Sequence, residues 1–184
     1  LCLPTGCSTT PKDLGPYQPA QAAKRDPLRA QQLTLEAVDE MGKDDAKAER
    51  LLCDALTADL YHGPAHNNLG VLYLQQGKLY EAATEFEWAR KLMPGNPDPR
   101  MNLAFVFESA GRVDEAIATY RTALEVAPDH IPTIQALTRL QVVEDRMDDQ
   151  TEERLTEIAL KGEDASWREW AQMQLLITPG QHIR

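Results

Sequence analysis

The chain has 184 residues, 42% of them hydrophobic and 26% charged, as in an ordinary globular protein. Aromatic residues account for only 6%, which favours a helical core of Leu, Ala, Val and Ile over a β-sandwich. The formal net charge of −10 argues against nucleic-acid binding, which needs a basic face, and against charge-driven membrane binding. An odd number of cysteines without CxxC spacing argues against a zinc site or a disulfide framework: Cys2, Cys7 and Cys53.

The first 26 residues carry no hydrophobic period. Residues 3–7 read Leu-Pro-Thr-Gly-Cys, which resembles the end of a bacterial lipoprotein signal, where a small residue precedes a cysteine that becomes lipidated. We therefore interpret residues 1–7 as the remnant of such a signal, and residues 8–26 as a flexible tether. The resemblance implies that Cys7 carries the lipid and, with Ser8 beside it, that the protein lies on the periplasmic face of the outer membrane. The alternative is a cysteine without a role in a cytoplasmic protein.

Residues 69–94 and 103–128 match each other at a fixed shift of 34 residues. Self-similarity at such a period indicates a stacked array, whose units bury their apolar faces against their neighbours. Eight positions share size and chemistry: Leu69/Leu103, Gly70/Ala104, Tyr73/Phe107, Gly77/Gly111, Ala82/Ala116, Phe86/Tyr120, Ala89/Ala123 and Pro94/Pro128.

Each matched position has a mechanical reason. The small residues at 70, 82, 104 and 116 allow two helices to approach closely. Gly77 and Gly111 fall where a tight turn needs a left-handed backbone, and Pro94 and Pro128 stop the helix before them. Each unit is therefore predicted to be a helix, a turn, a second helix and a stop.

The array extends weakly in both directions. A shift back by 34 gives a first copy at 29–62 with Leu35, Ala48, Leu52 and Ala55 in the apolar positions, opened by Asp26 as N-cap and Pro27. The strong copies are 63–96 and 97–130, and a degenerate copy is 131–162. We predict helices near 131–143, 150–161 and 165–177, the last (within 163–178) covering the end of the stack as a capping helix.

These residues resemble the tetratricopeptide repeat family, with a predicted array over 27–162. The resemblance implies an all-α fold, a right-handed superhelix of antiparallel helix pairs closed by C-terminal capping helices. It also implies a concave groove lined by the first helix of each pair, in which a partner protein or peptide segment binds.

The family's inward positions, transferred at the shift of 34, predict the residues of this groove. Asn68 and Asn102 occupy equivalent positions, and we expect their amides to clamp a peptide backbone. The alternative is that the C-terminal helices fill the groove and bury its apolar residues. The predicted groove residues are Leu33, Ala37, Asn67, Asn68, Val71, Leu74, Met101, Asn102, Phe105 and Arg139.

No catalytic, metal or cofactor motif is recognisable. His62 and His66 are four residues apart, but Gly63 and Pro64 start a helix between them, so the two imidazoles do not share a helix face. His66 falls on a packing position, and Glu81 and Glu85 read as ordinary charges on a helix surface. We therefore predict that the protein is not an enzyme.

The functional prediction is a non-enzymatic scaffold, attached to the membrane only through a lipid on Cys7. By analogy of architecture, it would act in the assembly of a pilus, secretion or envelope complex. Two alternatives stay open: a structural subunit of a larger envelope complex, and a cytoplasmic tetratricopeptide adaptor.

Overall fold

The computed structural model describes residues 25–177, and within this range all regular structure is α-helical. The all-α prediction is therefore confirmed, whereas the predicted signal remnant, Cys7 and nearly all of the tether lie outside the described residues. The chain divides into two compact units, Leu1–Ala65 and His66–Arg184. The helices are α1 Pro27–Glu40, α2 Asp45–Ala58, α3 Gly63–Gln75, α4 Leu79–Leu92, α5 Asp98–Ser109, α6 Val113–Val126, α7 Ile131–Val143, α8 Thr151–Lys161 and α9 Ala165–Ile177.

The first unit is built on a hairpin of α1 and α2, which pack against each other. Asp26 caps α1 as predicted, because its Oδ1 accepts a hydrogen bond from the backbone N–H of Arg29 at 3.0 Å. Asp44 caps α2 in the same way through the N–H of Lys47 at 2.9 Å. Pro27 takes the first helical position, where its missing N–H costs nothing.

The register predicted for α1 is wrong by two residues. The buried residues of α1 include Leu33, Thr34 and Ala37, which match Leu69, Gly70 and Tyr73 of α3 at a shift of 36. The reason is local: α1 has 14 residues against 13 in α3, and the turn 41–44 is one residue longer than the turn 76–78. The second helix keeps the shift of 34, since Ala48, Leu52 and Ala55 are buried as predicted.

In the second unit, α3 lies against α4 at a close approach that requires a glycine. A Cβ placed on Gly70 would lie only 2.7 Å from Cε1 of Phe86, and Phe86 is fully buried. The equivalent pair of the next hairpin, Ala104 and Tyr120, is buried in one apolar cluster with Ile117, Leu137 and Leu140. The small residues therefore do set the helix spacing.

The two turns within these hairpins have the predicted backbone. Gly77 has φ 73° and Gly111 has φ 71°, in the left-handed region that glycine enters without steric cost. In the hairpin of α7 and α8, the equivalent residue is Asp145, with φ 52°. Aspartate tolerates this region better than most side chains but still meets the Cβ penalty.

The shift of 34 continues into α7, although its chemistry changes. Gln141 stands in the aromatic position and is buried. Its amide donates to Oδ2 of Asp148 at 2.9 Å and to the carbonyl of Arg146 at 3.1 Å, and its Oε1 accepts from Arg154 at 2.7 Å. A buried polar network thus replaces the aromatic ring.

The C-terminal helices form at the predicted positions. Ala171 of α9 packs with Ile134, Leu155 and Ile158, and Trp167 and Trp170 lie against this cluster in an edge-to-face pair. The opposite side of α9 exposes the apolar side chains of Met173, Leu176 and Ile177, with Leu176 75% accessible. A capping helix usually presents a polar outer face, so the capping role of α9 stays a prediction.

Candidate protein-binding groove

The first helices α3 and α5 share an open depression of about 470 Å³, hereafter the groove. On α3 the core takes Leu69, Leu72 and Tyr73, which leaves Val71 and Leu74 on another face of the helix. The lining residues are Val71, Leu74, Gln75, Gly77, Leu79, Asn102, Phe105 and Ser109. Four of the predicted groove residues, Val71, Leu74, Asn102 and Phe105, therefore lie together.

Phe105 is the most conspicuous apolar side chain of the groove. It is 44% exposed, and no helix of the described chain covers it. Phe105 lies 34 residues after Val71, so the repeat places two apolar side chains at equivalent positions of neighbouring helices. Exposed apolar surface with a polar rim is typical of sites that bind another protein.

Of the two amides predicted to clamp a peptide backbone, Asn102 lines the groove and Asn68 does not. Nδ2 of Asn102 donates to Oδ1 of Asn67 at 3.2 Å. An amide has two donors and an acceptor with two lone pairs. The bond uses one donor of Asn102 and leaves its carbonyl oxygen available, so the amide retains the capacity to bind a peptide backbone.

Two further predicted residues have other roles. Met101 is partly buried and packs on the cluster around Ala104 and Tyr120, and it is not one of the residues that line the groove. Arg139 forms an ion pair with Glu108. The predicted cation is therefore already neutralised by a neighbouring carboxylate.

Glu108 also receives a second hydrogen bond from the core. The hydroxyl of Tyr120 donates to Oε2 of Glu108 at 3.1 Å. Burial raises the pKa of Tyr120 well above its usual range, and the negative charge of Glu108 raises it further. Tyr120 therefore stays a neutral donor, and Glu108 is held between α5, α6 and α7 by Tyr120 and Arg139.

The predictions for the first unit are corrected by its register. Leu33 and Ala37 are buried, with 5% and 0% exposure, because they occupy the core positions of α1. At the observed shift of 36, the positions of Val71 and Leu74 correspond to Leu35 and Val38, which are 61% and 47% exposed. The sequence carried a signal for this: Gly42, the turn residue with φ 77°, precedes Gly77 by 35 residues, not 34.

A buried polar pair lies outside the groove, between α3 and α4. Nδ1 of His66 lies 2.6 Å from Oε2 of Glu85, and both side chains are buried. The ring of Trp88 stacks on His66 with 5.6 Å between centroids. The prediction that Glu85 is a surface charge is therefore wrong, while His66 does occupy a packing position.

Within residues 25–177, no group of three or more His, Cys, Asp or Glu side chains is arranged to hold a metal ion. None of their helices combines the length and hydrophobicity needed to cross a bilayer.

Known proteins provide a comparison for the sequence. Residues 73–140 match the family model described as tetratricopeptide repeat. Tetratricopeptide repeat protein 8 of Mus musculus is 26% identical over 87 residues, which is 47% of this chain and 17% of that protein. The human protein of the same name is 26% identical over the same 87 residues, which are 16% of that protein. The match thus spans less than a fifth of either curated relative.

Solved structures provide a comparison for the fold. A tetratricopeptide repeat protein from Parabacteroides merdae has a TM-score of 0.64 at 22% identity, covering 79% of this chain and 58% of that chain. The first tetratricopeptide domain of Spaghetti (RPAP3), bound to the HSP90 peptide SRMEEVD, has a TM-score of 0.61 at 16% identity. The match covers 66% of this chain and 97% of that chain. Identities this low show the fold alone. The family model over residues 73–140, the helical hairpins and these solved structures agree, so the chain has the fold of a tetratricopeptide repeat protein.

Proposed function

We propose that the protein is a non-enzymatic scaffold that holds a segment of a partner protein in the groove of α3 and α5. Tetratricopeptide repeats are protein-interaction scaffolds, and the Spaghetti domain was solved with a peptide bound. The observation that carries the proposal is the exposed Phe105 beside Val71 and Leu74. Apolar area of this kind contributes to binding when a partner removes it from water.

The proposal is tested by replacing Phe105→Glu and measuring partner capture after in-cell crosslinking. Phe105 is accessible, so the fold should survive, which circular dichroism would verify. Tyr80→Glu is the matched control, because Tyr80 is 83% exposed on α4 and does not line the groove. Loss of the crosslinked partner is expected for Phe105→Glu only. Equal capture by both variants would refute the proposal.

We further propose that Cys7 is lipidated and anchors the scaffold to the periplasmic face of a bacterial outer membrane, where it assists the assembly of a pilus, secretion or envelope complex. The support is the resemblance of residues 3–7 to a lipoprotein signal. Replacing Cys7→Ser should move the protein from the membrane pellet to the soluble fraction. An unchanged pellet would contradict the anchor, and a soluble parent protein would favour the cytoplasmic adaptor.

A second candidate function, a structural subunit of a larger complex, is favoured by one observation. The outer side of α9 exposes Met173, Leu176 and Ile177, and Leu160 of α8 is 74% exposed. A permanent partner would bury such a surface. In that case Leu176→Lys would disrupt the complex and Phe105→Glu would not, the reverse of what the groove predicts.

A further inference from the structure

We infer that the segment held in the groove is an internal, non-acidic stretch anchored by one large apolar side chain, and not a chain terminus bearing carboxylates. The inference rests on the proposed function, because it names the chemistry of the partner at that same groove. It follows from the charges of the described residues, which decide what kind of group the groove stabilises.

The lining itself carries no formal charge. Its eight residues are apolar, glycine or uncharged polar. A volume of about 470 Å³ is within the ~300–1,000 Å³ of typical ligand sites. The groove therefore offers an apolar side chain a favourable transfer from water, while Gln75, Asn102 and Ser109 offer hydrogen bonds to the backbone beside it.

The cations next to the groove are already engaged. Lys78, Arg100 and Arg112 are the Lys and Arg residues of α3, α5 and the turns after them. Nζ of Lys78 lies 5.1 Å from the centroid of the Tyr73 ring. Nη1 of Arg100 donates to the carbonyls of Pro94 and Asn96 at 3.1 and 3.3 Å.

The remaining cations are engaged by carboxylates. Arg112 forms an ion pair with Glu115 and also lies 4.6 Å from the centroid of the Phe107 ring. Arg139 of α7 is paired with Glu108. A carboxylate ligand would compete with these partners for the same cations, which lowers what it gains from a charge-assisted hydrogen bond. In the uncharged groove itself it would lose hydration without a cation among the lining residues.

The charge of the whole chain acts in the same direction. With a formal net charge of −10, the protein repels an acidic peptide at distances up to the ~8–10 Å Debye length of physiological salt. The first unit repeats the apolar chemistry: Leu35 and Val38 of α1 are exposed at the positions equivalent to Val71 and Leu74. The acidic peptide SRMEEVD, which the Spaghetti domain binds, is thus a poor match for this groove.

The test uses the purified full chain and two peptide probes. The first is a position-scanning library of acetylated and amidated peptides, in which each position is fixed in turn and the others are randomised. The second is SRMEEVD, with either a free or an amidated C-terminus. Binding is measured by fluorescence anisotropy for the wild-type protein and for Phe105→Ala, with Tyr80→Ala as the matched control of an exposed aromatic outside the groove.

We expect the library to select Phe, Leu or Met at one position over Glu by about tenfold, and SRMEEVD to bind no better than the unselected library. Phe105→Ala should weaken the affinity for the selected peptides by about tenfold, as at an interface hot spot. Tyr80→Ala should bind them within about twofold of the wild-type affinity. If SRMEEVD binds tightly, loses affinity on amidation and still depends on Phe105, the inference falls and the groove function stands. If no probe depends on Phe105, both fall.

Discussion

Replacing Gly70→Ala tests the close approach of α3 and α4 most directly. The new Cβ would lie 2.7, 2.8 and 3.0 Å from three carbons of the Phe86 ring. Carbon atoms prefer about 3.5–4.0 Å, so the overlap with the nearest atom is about 0.8 Å. Phe86 is fully buried, and its ring cannot move aside without displacing other core side chains.

Two opposing contributions set the magnitude. Alanine in a helix interior is about 1 kcal/mol more favourable than glycine, while overpacking a well-packed core costs about 1–3 kcal/mol. Because the overlap involves a rigid aromatic ring between two helices, we expect the packing cost to prevail. With a packing cost at the upper end, about 2–3 kcal/mol, the variant should lose about 1–2 kcal/mol of unfolding free energy.

Urea unfolding followed by circular dichroism measures this loss. The matched control is Ala104→Gly, the reverse change at the equivalent position, where α5 already accommodates the methyl group beside Tyr120. That variant should lose about 1–2 kcal/mol, from helix propensity and from the loss of a buried methyl group. The double variant Gly70→Ala/Phe86→Leu should recover part of the stability that Gly70→Ala loses, because leucine lacks the ring that the new Cβ overlaps. A Gly70→Ala protein more stable than wild type would refute the packing argument.

Three further predictions concern register, strain and pH. Leu33→Ala should cost about 3 kcal/mol of unfolding free energy as a buried truncation, and Leu35→Ala less than about 0.5 kcal/mol as a surface change; equal losses would contradict the corrected register. Asp145→Gly should raise stability by about 0.5 kcal/mol in thermal melts, because glycine avoids the left-handed penalty but gains entropy when unfolded; a lower Tm would contradict this. Burial alone would raise the pKa of Asp148, but hydrogen bonds from Gln141 and Arg121 and the charge of Arg154 hold it well below the usual value. The resulting stability is present above pH ~3.9 and is lost as the pH falls further. Asp148→Asn should therefore cost about 2 kcal/mol at neutral pH, because it removes hydrogen bonds to a charged group. It should also reduce the loss of unfolding free energy below pH ~4 in urea titrations; an unchanged loss would argue against the network.

Much of the second unit was predictable because its local signals agree. Gly77 and Gly111 mark the turns, Pro94 and Pro128 follow the helix ends, and the shift of 34 carries the core positions from α3 to α5. Four groove residues followed from the resemblance to the tetratricopeptide repeat family, whose inward positions were transferred at the same period of 34.

The first unit shows where periodicity by itself misleads. One extra residue in α1 and one in its turn rotate the helix face by about 200° at ~100° per residue. This rotation exchanges the predicted surface residues Leu33 and Ala37 for Leu35 and Val38. The 35 residues between the turn glycines Gly42 and Gly77 indicated this longer turn. The shift of 34, which α2 follows, does not show the extra residue.

The sequence by itself determined that the chain is a series of helical hairpins with a 34-residue period, because turns, helix ends and apolar spacing are encoded locally. Only the tertiary structure decided which polar groups are buried, such as Glu85 with His66 and Gln141 with Asp148 and Arg154. It also decided that Arg139 is neutralised by Glu108. These pairs join side chains on different helices or turns, and their distances depend on how the helices pack, which no local pattern records.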